Sequence, residues 1–250
     1  MSIQPHTETW VDLASLGARR PYAPSYAERH LIRPRLEHLL AAPVKPGTSL
    51  IEFGIPGALR REDAAKLYEL AYFAPGDLLE LGCGRGLATA IMAQAIHDAG
   101  RASHVVAIDH NPEMIAETRA NLAAFALLDR AYLLAADALA VCQALIAQRQ
   151  TFAAVFVDHS PRYQDVRDVS QLLDQIVAAD GFALFHDFND RRNREQDERA
   201  YRVYDGVLRG LPMPPFTFHG VFGCTGVFQR PQESAAARAD QPAPAAALSA

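Results

Sequence analysis

Residues 78–86 read Leu78-Leu79-Glu80-Leu81-Gly82-Cys83-Gly84-Arg85-Gly86, and this stretch decides the fold of the chain. An apolar run of strand length passes directly into a glycine-rich turn, which is followed by a pattern of helical spacing. Such a strand, turn and helix brings backbone N–H groups and the positive end of a helix close to one point. The stretch therefore predicts a site for a nucleotide-like ligand, with a tight turn that binds nothing as the alternative.

On both sides of this stretch, short apolar runs alternate with helical patterns. The alternation predicts an α/β fold with a doubly wound, Rossmann-like and mostly parallel sheet. Seven strands are predicted, the last two as a C-terminal β-hairpin: 78–81, 105–108, 131–134, 152–157, 182–185, 216–222 and 226–228. Helices are predicted at 31–40, 61–73 and 139–147, and from Asp190 to Leu208. Three more are predicted from their residues: one with Leu87, Ile91 and Ala95 on one face, one capped by Asn111 with Pro112 in its first turn, and one carrying Val166, Val169, Leu173 and Ile176.

The two ends of the chain differ from its middle. Residues 1–50 contain many prolines, which predicts an arm or lid whose Trp10, Tyr22 and Tyr26 either close over an acceptor or anchor the arm. Residues 51–230 carry the alternating pattern and form the predicted domain. Residues 231–250 are rich in Ala and Pro and have too little apolar bulk to order, which predicts a disordered tail.

The composition excludes several classes of protein. A net charge of −5 argues against a general nucleic-acid binder, which usually carries a basic face. Cys83, Cys142 and Cys224 are widely spaced and predict neither a disulfide framework nor a cysteine zinc site. No apolar leader is visible, and no stretch approaches the roughly 20 apolar residues of a membrane span. We therefore expect a cytoplasmic protein with no membrane partner, while a homo-oligomer stays open.

An acidic residue closes or follows each predicted parallel strand. Open α/β sheets bind ligands at the carboxyl ends of their strands, so Asp109 is placed to accept both hydroxyls of a ribose. Enzymes that bind NAD share this feature. Their fingerprint, however, requires glycine or alanine where this chain has Leu87, and the sequence lacks a Tyr-x-x-x-Lys pair. An NAD(P)-dependent oxidoreductase is therefore an alternative that both features oppose.

Together with Val106-Ala107-Ile108-Asp109 and Ala136-Asp137, the stretch 78–86 resembles the first three motifs of class I S-adenosylmethionine-dependent methyltransferases. The resemblance covers roughly residues 51–190. It implies that Glu80 and the glycines border the methionine part of the cofactor, that Asp109 binds the ribose and that Asp137 meets the adenine amine. The implied cofactor-binding residues are Glu80, Gly82, Cys83, Gly84, Gly86, Asp109, His110, Asp137, Ala138 and Asp158.

A narrower resemblance rests on Ile55-Pro56-Gly57, Val157-Asp158-His159-Ser160 and Phe185-His186-Asp187. These segments are similar to a bacterial branch that includes macrocin O-methyltransferase-like proteins. Some relatives in that branch bind a divalent metal with acids after strands four and five, as does the catechol O-methyltransferase group. The resemblance implies O-methylation of a small-molecule hydroxyl.

The acids after strands four and five also suggest a metal by their position. If these strands are neighbours, their ends lie about 5 Å apart and the carboxylates of Asp158 and Asp187 converge. An ion such as Mg²⁺ would relieve their repulsion, with Asn189 or Asp190 completing the ligand set. The predicted metal ligands are Asp158, Asp187 and Asn189. The alternative is that both acids cap helices or pair with Arg162 and Arg191.

Methyl transfer to a hydroxyl also requires removal of a proton. His159 and His186 flank the two acids and are the candidate bases, which makes Asp158, His159 and His186 the predicted catalytic residues. Alternation along the strand would point His186 away from the face that Asp187 uses, so His159 is preferred. Tyr201 and Tyr204 are predicted to pack against the sheet, and Arg191, Arg192 and Arg194 to form a solvated face.

Three functions compete at this point. The first is a methyltransferase acting on a hydroxyl of a sugar, polyketide or phenolic compound. The second is the oxidoreductase, and the third is a cofactor-binding protein without transfer activity that regulates a partner. Nucleic-acid methylation is disfavoured because Asp158-His159-Ser160-Pro161 stands where amino-methyltransferases commonly place an N/D-P-P-Y/F motif.

Overall fold

The computed structural model describes residues 24–196 and 201–232. Its centre is one seven-stranded sheet in the order β3-β2-β1-β4-β5-β7-β6. The first five strands are parallel, β7 is antiparallel to β5, and β6 is antiparallel to β7. The strands are β1 Leu78–Leu81, β2 Val105–Asp109, β3 Ala131–Ala135, β4 Phe152–Val157, β5 Val177–Phe185, β6 Thr217–Phe222 and β7 Thr225–Gln229. The predicted fold class and the C-terminal hairpin are confirmed.

Helices cover both faces of the sheet. They are α1 Arg33–Ala41, α2 Arg61–Phe73, α3 Leu87–Asp98, α4 Pro112–Ala124, α5 Ala138–Ala147, α6 Tyr163–Ser170, α7 Leu173–Ile176 and α8 Val203–Gly210, with 3-10 turns at Ala27–Ile32, Leu128–Arg130 and Arg191–Arg194. Side chains alternate across β1, so Leu78 packs with α2 and α3 on one face whereas Leu79 and Leu81 pack with α5 to α8 on the other. The sheet is thus buried between two helical layers.

The strand register places the ends of four strands side by side. Leu81 at the end of β1 pairs with Ile108 of β2 and with Val157 of β4, and Val157 pairs with Phe185 of β5. The next residues along the chain therefore form a row, which is Asp109, Gly82, Asp158 and His186 in the order of the strands. The chain leaves β1 on one side towards β2 and returns on the other to β4, so this row lies at the point where the strand order reverses.

Three predicted elements differ in the structure. Strand β5 begins at Val177 and not at Phe182, because Val177 pairs with Phe152 across a shift in register between Phe152 and Ala154. Asp180 and Gly181 interrupt the apolar run between these two points and conceal the longer strand in the sequence. The helix predicted over Val166–Ile176 is divided into α6 and α7. The N–H of Leu172 bonds to the carbonyl of Val169, only three residues back, which ends the α-helical pattern between the two segments.

The helix predicted from Asp190 to Leu208 is also wrong over residues 190–196. The Asp190 side chain accepts a hydrogen bond from the N–H of Arg192 and starts a 3-10 turn instead. The Asn193 side chain then accepts from the N–H of Tyr204, which ties this turn to the beginning of α8. Local side-chain bonds to the backbone therefore replace helical hydrogen bonds here.

The described part of the predicted arm packs onto the domain. The helix predicted at 31–40 is α1, which begins with Pro34 in its first turn and buries Leu36 and Leu39. The Tyr26 ring stacks on Phe73 with 4.2 Å between the ring centroids, which favours the anchoring alternative for this residue. Trp10, Tyr22 and the predicted tail beyond residue 232 lie outside the described residues, so the division into arm, domain and tail stays a prediction. No helix in the described part is long and apolar enough to cross a membrane.

Candidate active site

The backbone of the glycine loop after β1 has conformations that cost free energy for residues other than glycine. Gly82, Gly84 and Gly86 have φ of 91°, 52° and 87°, in the left-handed region. A side chain at Gly82 would also collide with the backbone of Asp158 on the neighbouring strand end, whereas nothing lies within 4 Å of a side chain placed at Gly84. Glycine at position 82 therefore brings β1 and β4 together at the site.

We expect Gly82→Ala to cost about 2–5 kcal/mol of folding free energy, because the strain of a left-handed alanine adds to the collision. Gly84→Ala is the matched control and should cost only about 1–2 kcal/mol, since it meets the same backbone strain in open space. Urea unfolding of both variants measures the difference. Equal losses of stability would show that the approach of β1 to β4 is not what requires glycine.

Asp109 at the end of β2 is held by the loops around it. Its carboxylate accepts hydrogen bonds from the N–H of Gly84 and the N–H of Asn111, each at 2.9 Å. Only 9% of the residue is exposed, on the side of the cleft. A carboxylate with two oxygens retains lone pairs after these bonds, so Asp109 can still accept from two vicinal hydroxyls.

Two cavities meet at this row of strand ends. One has a volume of about 550 Å³ and is lined by Ile108 and by Ala136 to Leu139, among others. The second, of about 220 Å³, extends between the glycine loop and Pro56 to Leu59. Both border Gly82, Asp109, His110 and His159. Because they share these four residues, the two cavities form one continuous cleft along the row of strand ends.

The structure brings the predicted cofactor-binding residues together around this cleft, with one exception. Glu80, Cys83 and Gly84 line the smaller cavity, as does Asp158, while Asp137 and Ala138 line the larger one. Gly86 is not in the lining of either cavity. It instead begins α3 and packs against Thr118, so its requirement for glycine is structural. Asp137 additionally caps α5 by accepting from the N–H of Ala140.

Glu80 is a buried carboxyl group in the floor of the cleft. Burial, with smaller contributions from the charges of Asp158 and Asp109, raises the pKa of Glu80 to about 8, against the opposing hydrogen bond from Thr89. The ligand-free protein therefore holds Glu80 protonated at neutral pH. A cationic ligand group beside it would favour the ionised form.

We expect Glu80→Gln to flatten the pH dependence of stability. A folded-state pKa of about 8, above the usual value of 4.5, means that the stability from Glu80 is complete below pH 4.5 and is lost as the pH rises towards 8. Glutamine has no proton to lose, so the variant should gain stability relative to the wild-type protein over this window. Urea midpoints at several pH values test this, and a constant difference between the proteins would contradict it.

A third, smaller cavity of about 180 Å³ adjoins the cleft at the ends of β4 and β5. It is lined by Asp158, His159, Ser160, His186, Asp187 and Tyr201, together with four apolar residues, Val157, Pro161, Val166 and Val203. His159 borders this cavity and both cavities of the cleft. A group bound in the small cavity would therefore lie next to whatever fills the cleft.

The two acids after β4 and β5 converge on a histidine. His186 Nδ1 lies 3.1 Å from Asp158 Oδ1 and 3.6 Å from Asp187 Oδ2. The expectation that alternation would separate His186 from Asp187 is wrong, because β5 ends at Phe185 and Asp187 has a left-handed φ of 56°. Ligand atoms of Asp158, His186 and Asp187 all lie within 4.8 Å of one another. A divalent cation fits this set of donors.

The pKa values of the two histidines of the site shift in opposite directions. Burial lowers the pKa of His159, against the smaller opposing effect of Asp165, and its Nδ1 is buried with no hydrogen-bond partner among residues 24–196 and 201–232. Burial acts in the same direction on His186, but the charges of Asp158, Cys224 and Asp187 raise the pKa of His186 well above its usual range. His159 is thus the neutral imidazole that can accept a proton.

The arginines after β5 are not a plain solvated face. Arg192 binds Asp190, lies 3.4 Å from Asp187 Oδ1, and stacks over the Tyr201 ring at 3.7 Å. The arginine that pairs with Asp187 is therefore Arg192, and not Arg191, which the sequence offered as the alternative. Tyr204 packs against Phe188 as predicted, whereas Tyr201 lines the small cavity. Asp190, predicted as an alternative ligand, is engaged with Arg192 and Arg60.

Sequence reasoning missed a buried support behind the site. Asp63, at the start of α2, accepts hydrogen bonds from the N–H groups of Cys224 and Thr225 in the β6–β7 turn. Asp63, Cys224 and His186 also form a second group of ligand-type atoms within 4.8 Å of one another. No local signal announces this group, because 161 residues separate Asp63 from Cys224.

The comparisons with known proteins agree with this geometry. Residues 79–188 match a family described as "Methyltransferase domain". No curated protein matches the chain.

Solved structures share the fold. The cofactor-bound Rv0187 from MTB is 17% identical, with a TM-score of 0.58 over 86% of this chain and 100% of the other. The O-methyltransferase TomG from Streptomyces achromogenes, in complex with SAM, is 15% identical, with a TM-score of 0.58 over 88% and 94%. An O-methyltransferase from Bacillus cereus in complex with SAH is 16% identical, with a TM-score of 0.54 over 84% and 93%.

At these identities, the likeness to solved structures shows the fold. The family match adds the identity of the domain that contains the glycine loop and the row of strand ends, and it favours transfer chemistry over both the oxidoreductase and the non-catalytic alternative. The chain therefore carries a methyltransferase domain over residues 79–188 and has the fold of S-adenosylmethionine-dependent methyltransferases.

Proposed function

We propose that the protein methylates a hydroxyl group of a small molecule with the assistance of a divalent metal. The observation that carries this proposal is the position of His159, a neutral imidazole at the junction between the cofactor cleft and the small polar cavity. When bound, S-adenosylmethionine supplies the electrophilic methyl group. The residues of the chain have to hold the acceptor in line with that group and remove its proton.

The cleft supports a specific orientation of the cofactor. Asp137 and Ala138 in the larger cavity would contact the adenine, Asp109 and His110 the ribose, and the residues from Glu80 to Gly84 the methionine part. Asp158 and His159 line the same smaller cavity and would therefore border the methionine part of the cofactor in this orientation. The small cavity lies next to the same two residues.

His159 is proposed as the general base. A base must be neutral before it accepts a proton, and the lowered pKa of His159 keeps it so at neutral pH. His186 is positioned differently, since it is buried and paired with Asp158. Asp158 and Asp187 would hold a metal ion that lowers the pKa of the acceptor hydroxyl, and the buried Oδ1 of Asn189 keeps that residue a proposed ligand.

The small cavity limits the acceptor. A cavity of about 150 Å³ is known to hold a benzene ring, so the volume of about 180 Å³ fits one six-membered ring or a comparable part of a larger molecule. Its lining mixes carboxylates with apolar side chains, which suits a hydroxylated ring of a phenolic compound or sugar. The net charge of −5 supports a small molecule over a nucleic acid. The three buried, unpaired cysteines support a reducing, cytoplasmic location.

Calorimetric titration with S-adenosylhomocysteine, and separately with NADH, tests the cofactor. We expect micromolar binding of the first ligand alone. Incubation with radiolabelled S-adenosylmethionine and either a cell extract of small metabolites or total RNA then tests the acceptor. Label that enters a base-stable ether in the small-molecule fraction supports the proposal. Label that enters RNA, or an amine or carboxylate, would contradict it.

A further inference from the structure

We propose that His186 is itself a metal ligand, with Asp158 and Asp187, and that the site prefers a first-row transition metal ion to Mg²⁺. This inference rests on the proposed metal-assisted function and names the metal that the function uses. It replaces the expectation of a magnesium site whose protein ligands are all oxygen atoms.

The distances between the three donor atoms suit a shared ion. In an octahedral site with bonds of about 2.1 Å, adjacent ligand atoms lie about 3 Å apart, and in a tetrahedral site slightly further. His186 Nδ1 lies 3.1 Å from Asp158 Oδ1 and 3.6 Å from Asp187 Oδ2. The ring nitrogen therefore lies at about the distance of an adjacent ligand from one oxygen of each carboxylate, and ligand atoms of all three side chains lie within 4.8 Å of one another.

The remaining coordination positions would face the small cavity. Asp158, His186 and Asp187 all line that cavity, and the side chain of Asp158 is 36% exposed. Asp187 presents Oδ2 to the histidine, while its Oδ1 lies near Arg192 and the Cys224 thiol. The acceptor hydroxyl and water can thus reach an ion held by the three side chains without displacing them.

The second group of ligand-type atoms, Asp63 with His186 and Cys224, is less suited to hold an ion. Asp63 Oδ1 accepts from the N–H groups of Cys224 and Thr225 and from the Thr225 hydroxyl, and its Oδ2 accepts from the N–H of Arg60. Both oxygens are therefore occupied by the hydrogen bonds that join α2 to the hairpin turn. This rigid support lies behind His186 and holds the buried ring in place, as outer groups commonly do for metal-bound histidines.

The nitrogen donor determines the choice of metal. Mg²⁺ prefers oxygen ligands, whereas imidazole nitrogen favours ions such as Fe²⁺, Co²⁺, Ni²⁺ and Zn²⁺ and is accepted by Mn²⁺. A His186→Asp variant would give the site three carboxylates, so that every protein ligand is an oxygen atom. It separates the effect of the nitrogen from the effect of the position.

Metal binding to the EDTA-treated, full-length protein tests the proposal without an activity assay. We expect Mn²⁺ and Zn²⁺ to bind at one ion per chain in equilibrium dialysis, each at least about 100-fold more tightly than Mg²⁺. His186→Asp should reduce the ratio of Mn²⁺ to Mg²⁺ affinity at least tenfold. Pulsed EPR of the Mn²⁺ form should show coupling to a histidine nitrogen in the wild-type protein and lose it in His186→Asp.

Controls distinguish a specific loss of metal binding from misfolding, and failure of this inference from failure of the proposed function. His97→Asn changes an exposed histidine at the end of α3 and should retain the metal affinities and the EPR coupling of the wild-type protein. Binding of S-adenosylhomocysteine to each variant verifies that the cleft is intact. Mn²⁺ binding without nitrogen coupling, equal affinity for Mg²⁺, or no metal binding by a protein that still binds S-adenosylhomocysteine would overturn the inference. Metal binding as expected with no transfer to a hydroxyl would instead overturn the proposed function.

Discussion

Replacement of His159 with asparagine is expected to lower kcat by about 10²–10⁴-fold, the range that a positioned general base contributes. Asparagine retains polarity and approximate shape but cannot accept a proton, so binding of S-adenosylhomocysteine should change less than about threefold. Single-turnover transfer to the acceptor measures the chemical step, and calorimetry measures the affinity.

The pH profile provides a second readout for His159. Because burial lowers the pKa of His159 below its usual range, the wild-type rate should stay high at neutral pH and fall only as acid protonates the imidazole. The residual rate of the variant should lack this acidic limb. His97→Asn is the matched control and should leave both rate and profile unchanged. If the wild-type rate already falls at pH values above 6.5, the general base is a group other than His159.

Replacement of Asp109 with alanine is expected to weaken the binding of S-adenosylhomocysteine at least about 100-fold, since hydrogen bonds to a charged group contribute about 1.5–3 kcal/mol each and two hydroxyls are involved. The change also removes the bonds that hold the N–H groups of Gly84 and Asn111, so the loop loses its support. Calorimetry with adenine as a second ligand separates the two effects. Adenine binding should be retained if the ribose contact is the main loss.

Asp129→Ala is the matched control for Asp109. Asp129 lies in the exposed turn before β3, with 68% of its side chain accessible and an ion pair to Arg130. An exposed pair of this kind contributes little to stability, so neither stability nor cofactor affinity should change by more than about 1 kcal/mol. A comparable loss of affinity in both variants would mean that the overall charge, and not the ribose contact, determines binding.

Much of the fold could be predicted because the signals are local. The alternation of apolar runs with helical patterns predicted the parallel strands, and helix α2 was predicted with its observed bounds, Arg61–Phe73. The errors fall where the partner of a segment decides its structure. Strand β5 is longer than predicted because Val177 pairs with Phe152 across a shift in register, although Asp180 and Gly181 interrupt the apolar run. The turn after Asp190 forms because Asp190 and Asn193 bond to the backbone of their neighbours.

The sequence placed the candidate site residues at the ends of strands but did not show which of them meet. Asp109, Asp137 and Asp158 were placed at strand ends by sequence, and the register of the parallel strands brings them to one edge. The orientation of His186 was wrong, because a left-handed residue at Asp187 breaks the alternation on which the expectation rested. Asp63 and Cys224 were missed, since their contact with His186 depends on packing between the start of α2 and a hairpin at the far end of the chain.

The sequence by itself thus determined the class of the fold, the order of the motifs and the residue types at each strand end, because strand and turn propensities act over a few neighbouring residues. Only the tertiary structure decided which of those side chains meet, which histidine stays neutral, and which nitrogen faces the two carboxylates. These properties depend on burial and on distances of a few ångströms between residues far apart in the chain. Such distances are set by the packing of whole elements, and no local pattern contains them.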